Sequence, residues 1–196
     1  MIVRRFTVAV LAATLAVGAC KGDPPPPPAP PAVNQDSIDA ARRAEEERLA
    51  RERAEAEARA REAAEREAAA ARAAARETLE AMVFFDYDVS DIRSDMQQLM
   101  RQKAAILRAS PQVQIRIEGH ADERGSTEYN LALGNRRAEA IRDFLTGFGL
   151  SESRFEITSF GEDRPLANGS GEAAWQRNRR GEFRITAGAN AINPAN

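Results

Sequence analysis

Apolar positions are unevenly spread along this chain, and their spacing divides it. Phe6 to Val17 is a short, nearly unbroken apolar run. Pro24–Pro28, Pro30 and Pro31 follow, and no helix can form there. Between 36 and 80 large apolar side chains nearly vanish: Ile38, Leu49 and Leu79 stand among Ala, Arg and Glu, with no Gly or Pro. From 81 onward the periods of folded elements return. Met82–Tyr87 is apolar and aromatic and predicts a strand. Met96, Leu99, Met100, Ala104, Ile106 and Leu107 recur at helical spacing, which predicts a helix from Ile92 or Ser94 to Ala109, stopped by Ser110-Pro111. Val113, Ile115 and Ile117 alternate with polar residues and predict a strand over 113–118. Leu131, Leu133, Ala138, Ile141, Phe144 and Leu145 predict a second helix from Thr127 to Thr146, ended by Gly147 and Gly149. Phe155–Phe160 predicts a third strand, 161–171 a loop, Ala173–Arg180 a short helical turn and Glu182–Thr186 a last strand.

This alternation predicts an α/β fold, a two-layer sandwich with helices on one face of a mixed sheet, preceded by a long charged α-helix. Roughly 105 residues are enough for one core. The expected organisation is an export signal at 1–19, a tether at 20–33, a helical rod at 34–80, a folded domain at 81–187 and a flexible tail at 188–196. For the rod, Asp36 or Ser37 is the expected cap. Glu47–Arg51, Glu55–Arg59, Glu57–Arg61 and Glu62–Arg66 are Glu-to-Arg pairs in the favourable i,i+4 order. A coiled coil needs large apolar residues every 3.5 positions. Their scarcity predicts a solvated single helix, with a coiled coil built on alanine as the alternative.

Charge and chemistry narrow the picture. The net charge is −2, so no basic excess points to nucleic acid. With one Cys and one His, an intrachain disulfide is impossible and a Cys/His metal site lacks ligands. No metal or cofactor is expected. Arg4 and Arg5 precede an apolar run shorter than the roughly 20 residues that span a membrane, the pattern of an export signal. Val17-Gly18-Ala19-Cys20 resembles a bacterial lipobox. That resemblance implies cleavage before Cys20 and its acylation. Lys21, in place of Asp, implies the outer membrane, with the chain facing the periplasm. The prolines then read as a stiff polyproline spacer.

Residues 115–142 carry the candidate site. A strand runs into a polar turn closed by Gly125. Ser126 is the expected N-cap of the helix that follows, and Glu128 suits the positive end of its dipole. Asp122 in the turn and Arg137 on the helix supply opposite charges. Gly119-His120-Ala121-Asp122, Gly125, Asn130, Leu133 and Arg137-Ala138 resemble the signature of the OmpA-like peptidoglycan-binding domain. The wording Gly-His-Ala-Asp-Glu-Arg-Gly is especially similar to the peptidoglycan-associated lipoproteins of that family. The resemblance covers 81–187. It implies non-covalent capture of the diaminopimelate residue of a peptidoglycan stem peptide. Asp122 would pair with the ligand's ammonium, and Arg137 would fork onto its carboxylate with two parallel hydrogen bonds. Tyr87 and Asp88 align with positions that line the pocket, and Leu133 would supply an apolar wall. His120 is expected to orient the turn, and Asn178-Arg179-Arg180 to make structural hydrogen bonds. Replacing Asp122 or Arg137 is expected to cost binding while the fold survives.

The resemblance also implies docking onto periplasmic Tol proteins, in envelope integrity and cell division. Two other classes of function stand against this reading. His120, Asp122 and Glu123 could form an acid/base cluster, but neighbours in one turn need not converge, and no activated nucleophile accompanies them. The chain is therefore expected not to be an enzyme. The alternative is a structural lipoprotein whose rod docks a partner while the domain only localises it.

Overall fold

The computed structural model describes residues 34–195. The export signal, Cys20 and the proline tether lie outside the described residues. The chain divides between Glu52 and Arg53 into two units. In the first, helix α1 (Gln35–Glu80) begins. Its start is capped by Asn34 rather than by Asp36 or Ser37: Asn34 Oδ1 accepts from the Asp36 amide at 3.1 Å. Glu47 and Arg51 pair at 2.5 Å.

In the second unit the same helix carries Glu62–Arg66 at 2.5 Å, Glu55–Arg59 at 3.6 Å and Glu57–Arg61 at 4.0 Å. These pairs are exposed and contribute only about 0.3–0.5 kcal/mol each. The helical propensity of Ala, Arg and Glu does the rest. No helix among the described residues is long and apolar enough to cross a membrane.

The second unit also holds a four-stranded sheet in the order β1-β4-β2-β3. The strands are β1 (Val83–Phe84), β2 (Gln114–His120), β3 (Phe155–Gly161) and β4 (Arg180–Ala187). β2 runs parallel to β3 and antiparallel to β4, and β1 is antiparallel to β4, so the sheet is mixed as expected. Helices α2 (Gln97–Ala109) and α3 (Thr127–Gly147) pack with it, and α4 (Glu172–Asn178) precedes β4. Met100, Ala104 and Leu107 of α2, Ala138, Ile141 and Leu145 of α3, and Ile115, Ile117 and Phe183 of the sheet form the core. β1 is shorter than its apolar run suggested. Phe85 lies beyond the strand, and its amide donates to Arg179 O at 2.9 Å in continuation of the β1–β4 register.

One close approach sets the frame of the site. A Cβ added at Gly119 on β2 would overlap the carbonyl oxygen of Gly134 on α3. Here backbone meets backbone, and α3 lies as near to the sheet as a helix can.

Both expected boundaries of the domain need correction. The final turns of α1 are not a solvated rod, because Ala75 and Leu79 are buried in the core. Lys103 on α2 holds them. Its side chain is fully buried, and Nζ donates to Thr78 O at 2.9 Å, Leu79 O at 2.6 Å and Ala81 O at 2.6 Å. An ammonium thus caps carbonyls that a helix end leaves without partners. Burial pushes this lysine down to about 7, against the pull of Glu80. The expected flexible tail is also part of the domain. Gly188 turns the chain at φ 73°, Ile192 enters the core, and the Asn193 amide donates to Ser110 Oγ at 2.8 Å.

A fragment trimmed to 81–187 should therefore be much less stable than 53–196. Burying Leu79 and Ile192 stabilises by about 1.5–3 kcal/mol each. A domain of this size shifts by about 4 °C per kcal/mol, so the trimmed fragment should melt at least ~10 °C lower. Equal melting curves by circular dichroism would show that the two ends add nothing to the core.

Candidate ligand-binding site

The site forms where β2 ends. The Ala121 amide donates to Gly161 O at 2.8 Å, which holds the chain to the end of β3 as it enters the 121–126 turn. Gly125 closes the turn at φ 112°, a backbone that favours glycine. Ser126 caps α3 as expected, its hydroxyl accepting from the Tyr129 amide at 3.3 Å. Glu162 pins the first turn of the helix, accepting from Thr127 Oγ1 at 2.9 Å and from Asn130 Nδ2 at 2.8 Å.

A cavity of about 320 Å³ opens between this turn, α3 and the loop after β1. Tyr87, Asp88, Asp122, Leu133 and Arg137 all line it, so the structure brings the five expected residues together. Arg124, Gly125, Tyr129 and Asn130 complete the wall.

The two poles differ from their expected form. Asp122 is not a free anion. Its Oδ1 accepts from Arg124 Nε at 3.1 Å and from the Arg124 amide at 3.2 Å, and Oδ2 from Arg124 Nη2 at 2.6 Å and Arg179 Nη1 at 3.1 Å. Burial works to raise this carboxyl, but the bonds from Arg124 and Arg179 outweigh it and hold it below the usual carboxylate range. Arg124 is itself sandwiched, 3.8 Å from the Tyr87 ring centroid and 4.1 Å from that of Trp175.

Arg137 is fully buried and already engaged. Nε donates to Val89 O at 2.9 Å, Nη1 to His120 O at 2.8 Å and Nη2 to Asp86 O at 2.9 Å. Each Nη carries a second N–H besides the one used in these bonds. Burial pushes its pKa down to about 10, with Asp122 acting the other way. Against the expectation that its removal costs binding alone, these bonds mean that removing Arg137 also costs stability. They tie the loop carrying Tyr87 and Asp88 to the end of β2.

The remaining residues have local causes. Asp88 takes φ 55°, the left-handed region, which Asp tolerates better than most side chains. Its carboxylate accepts from the Tyr129 hydroxyl. Tyr87 is exposed at the rim rather than buried as a strand-end aromatic. Leu131, expected inward, is exposed: Gly161 approaches the backbone of Leu131, leaving its side chain on the surface.

The Asn178-Arg179-Arg180 element does make structural bonds. Asn178 Oδ1 accepts from the Leu166 and Ala167 amides at 2.8 and 2.9 Å, and Arg180 Nε donates to Glu182 at 2.7 Å. Arg179 also backs the site through Asp122. His120, Asp122 and Glu123 do not converge. Glu123 accepts from Trp175 Nε1 at 3.1 Å, whereas the nearest carboxylate to His120 Nε2 is Glu182, at 3.9 Å.

Sequence reasoning missed Arg124, Tyr129 and Asn130 in the wall. Turn residues carry no periodic signal, so Arg124 could not be found that way. The burial of Arg137 did have a signal: it lies four residues after Leu133 and four before Ile141, on the core stripe of α3.

The sequence model of the OmpA family matches residues 84–179. The chain is 51% identical over 98 residues to a peptidoglycan-associated lipoprotein of Brucella melitensis, covering 50% of this chain and 58% of that one. It is 48% identical over 98 residues to the protein of the same name in Agrobacterium fabrum, covering 50% of this chain and 55% of that one. It thus spans little more than half the length of these curated relatives. The crystal structure of the peptidoglycan-associated lipoprotein from Burkholderia pseudomallei is similar at a TM-score of 0.53 and 42% identity, covering 54% of this chain and 89% of that one. Through this domain the chain belongs to the OmpA family.

Proposed function

We propose that the cavity holds the diaminopimelate residue of a peptidoglycan stem peptide without covalent chemistry, and that the chain is an outer-membrane lipoprotein fastening that membrane to the cell wall. The lipobox-like ending at Cys20 supports the anchor. The likeness to peptidoglycan-associated lipoproteins supports the wall partner and, further, docking onto periplasmic Tol proteins. One observation carries the ligand: a single cavity is lined by Asp122, which is held ionised, and by Arg137, whose guanidinium keeps an N–H on each Nη. A carbon bearing both an ammonium and a carboxylate matches those two poles. Arg124 occupies Asp122 in the structure, so the incoming ammonium competes with it.

Calorimetry of the whole chain with a diaminopimelate tripeptide tests this reading, with melting curves as the folding control. Asp122→Asn keeps the shape and removes the charge. A charge-assisted hydrogen bond contributes about 1.5–3 kcal/mol, so affinity should fall at least roughly tenfold. A tripeptide with lysine in place of diaminopimelate lacks the second carboxylate and should lose a similar factor, because the second N–H groups of Arg137 stay unpaired. Wild-type affinity in folded Asp122→Asn, or equal binding of the lysine peptide, would place the ligand elsewhere.

A further inference from the structure

The face of the sheet turned away from the core carries a second cluster. Ile115, Ile117 and Phe183 point into the core, so Arg116, Glu118, Glu182 and Arg184 point the other way. The ladder sets Glu118 opposite Glu182, and His120 follows Glu118 by two residues. One ligand atom from each of the three lies within 4.8 Å of the others, and all three side chains are buried. Neither ring nitrogen of His120, which is 1% exposed, has a hydrogen-bond partner among the described residues. A buried imidazole with both nitrogens unpaired is rare and calls for a missing partner. None of the three residues lines the cavity described above.

The charges around the cluster show where a cation sits well. Two carboxylates facing each other across a ladder repel. Arg184 relieves this by touching both, Glu182 Oε2 at 2.8 Å and Glu118 Oε2 at 3.6 Å. Its side chain is 62% exposed, so it can leave. Arg180 stays on Glu182 Oε1 at 2.6 Å. Arg164 lies 3.6 Å from the Phe160 ring, which stacks on His120.

We propose that Glu118, His120 and Glu182 form a binding site for a divalent transition-metal ion of the zinc class, and that Arg184 is the cation this metal displaces. An imidazole nitrogen and two carboxylates with a position left for water suit zinc. The imidazole disfavours magnesium and calcium, which take oxygen ligands. The sequence excludes a set built from Cys and His alone. The β2–β4 register instead brings two carboxylates to the chain's one histidine. Arg164 and Arg180 stay nearby and weaken the site, so micromolar rather than tighter affinity is expected.

The test uses the full chain without an affinity tag, with Cys20→Ser so that the lone thiol offers no ligand. After chelation and dialysis, calorimetry should find one zinc ion per chain. Zinc should raise the melting temperature, and cobalt(II) should give visible absorption bands that zinc abolishes. His120→Gln and Glu118→Gln should each weaken binding at least tenfold. Arg184→Ala should tighten it several-fold, whereas loss of a purely structural ion pair would not. If His120→Gln fails to fold, Glu118→Gln and the cobalt spectrum of the unaltered site decide. No stoichiometric zinc at submillimolar concentration, binding that survives both ligand substitutions, or weaker binding in Arg184→Ala would each overturn the proposal.

Discussion

Arg137→Ala should lower the melting temperature of the chain by on the order of 10–20 °C. The guanidinium is fully buried and donates to three carbonyls, those of Asp86, Val89 and His120. Hydrogen bonds to a charged group contribute about 1.5–3 kcal/mol each, and a buried acceptor left unpaired costs about 1–3 kcal/mol. Water entering the hole recovers part of this, which leaves a net loss of about 3–5 kcal/mol. At about 4 °C per kcal/mol the stated shift follows. The loop carrying Tyr87 and Asp88 should loosen first, because two of the three carbonyls belong to it. Arg137→Lys should recover less than half, since a point charge cannot reproduce a planar fork aimed at three acceptors. Thermal melts followed by circular dichroism decide. A shift under about 2 °C would mean that those bonds hold nothing, and Arg137 would be a ligand group alone. Binding to Arg137→Ala should be read only well below its own melting point.

Gly119→Ala should be more damaging than its single methyl suggests. The new Cβ would overlap the carbonyl oxygen of Gly134, and that oxygen belongs to a rigid helix rather than to a side chain that can turn away. Either α3 lifts off β2 or the strand buckles. Overpacking of this kind typically costs about 1–3 kcal/mol, and more where backbone must move. Lifting α3 also carries Asn130, Leu133 and Arg137 away from Asp122, so the cavity should be lost along with stability. Gly147→Ala is the control. It sits in the same helix, and a Cβ there meets nothing within 4 Å. It should change stability by under about 1 kcal/mol, in the favourable direction. Equal melting of the two variants would show that the β2–α3 contact has slack.

These two positions show what the sequence could carry. The long elements were legible, because their apolar spacing is set by one face meeting one core: α3 and β3 lie within a residue of their expected bounds. So was the grouping of the five site residues, through the family motif. Saturation was not legible. Whether a charged side chain meets a ligand or three carbonyls depends on loops packed from elsewhere in the chain. Arg137 and Lys103 both sit on helix stripes that otherwise read as core, and a charge at such a position is the mark of a buried, fully bonded group. Ile192 was overlooked for a related reason. One branched apolar residue in a tail of Ala, Asn, Gly and Pro has no periodicity, yet it has nowhere better to go than the core.

Lys103 acquires a further meaning if the chain fastens a membrane to a wall. A fastener carries tension. Force drawn through α1 enters the domain at the last turn of that helix, where Leu79 lies in the core and one ammonium grips three carbonyls. Three bonds that share one atom carry the load together rather than tearing one after another. The helix end should therefore not unravel turn by turn under strain, and the joint should hold until the core beneath it gives way.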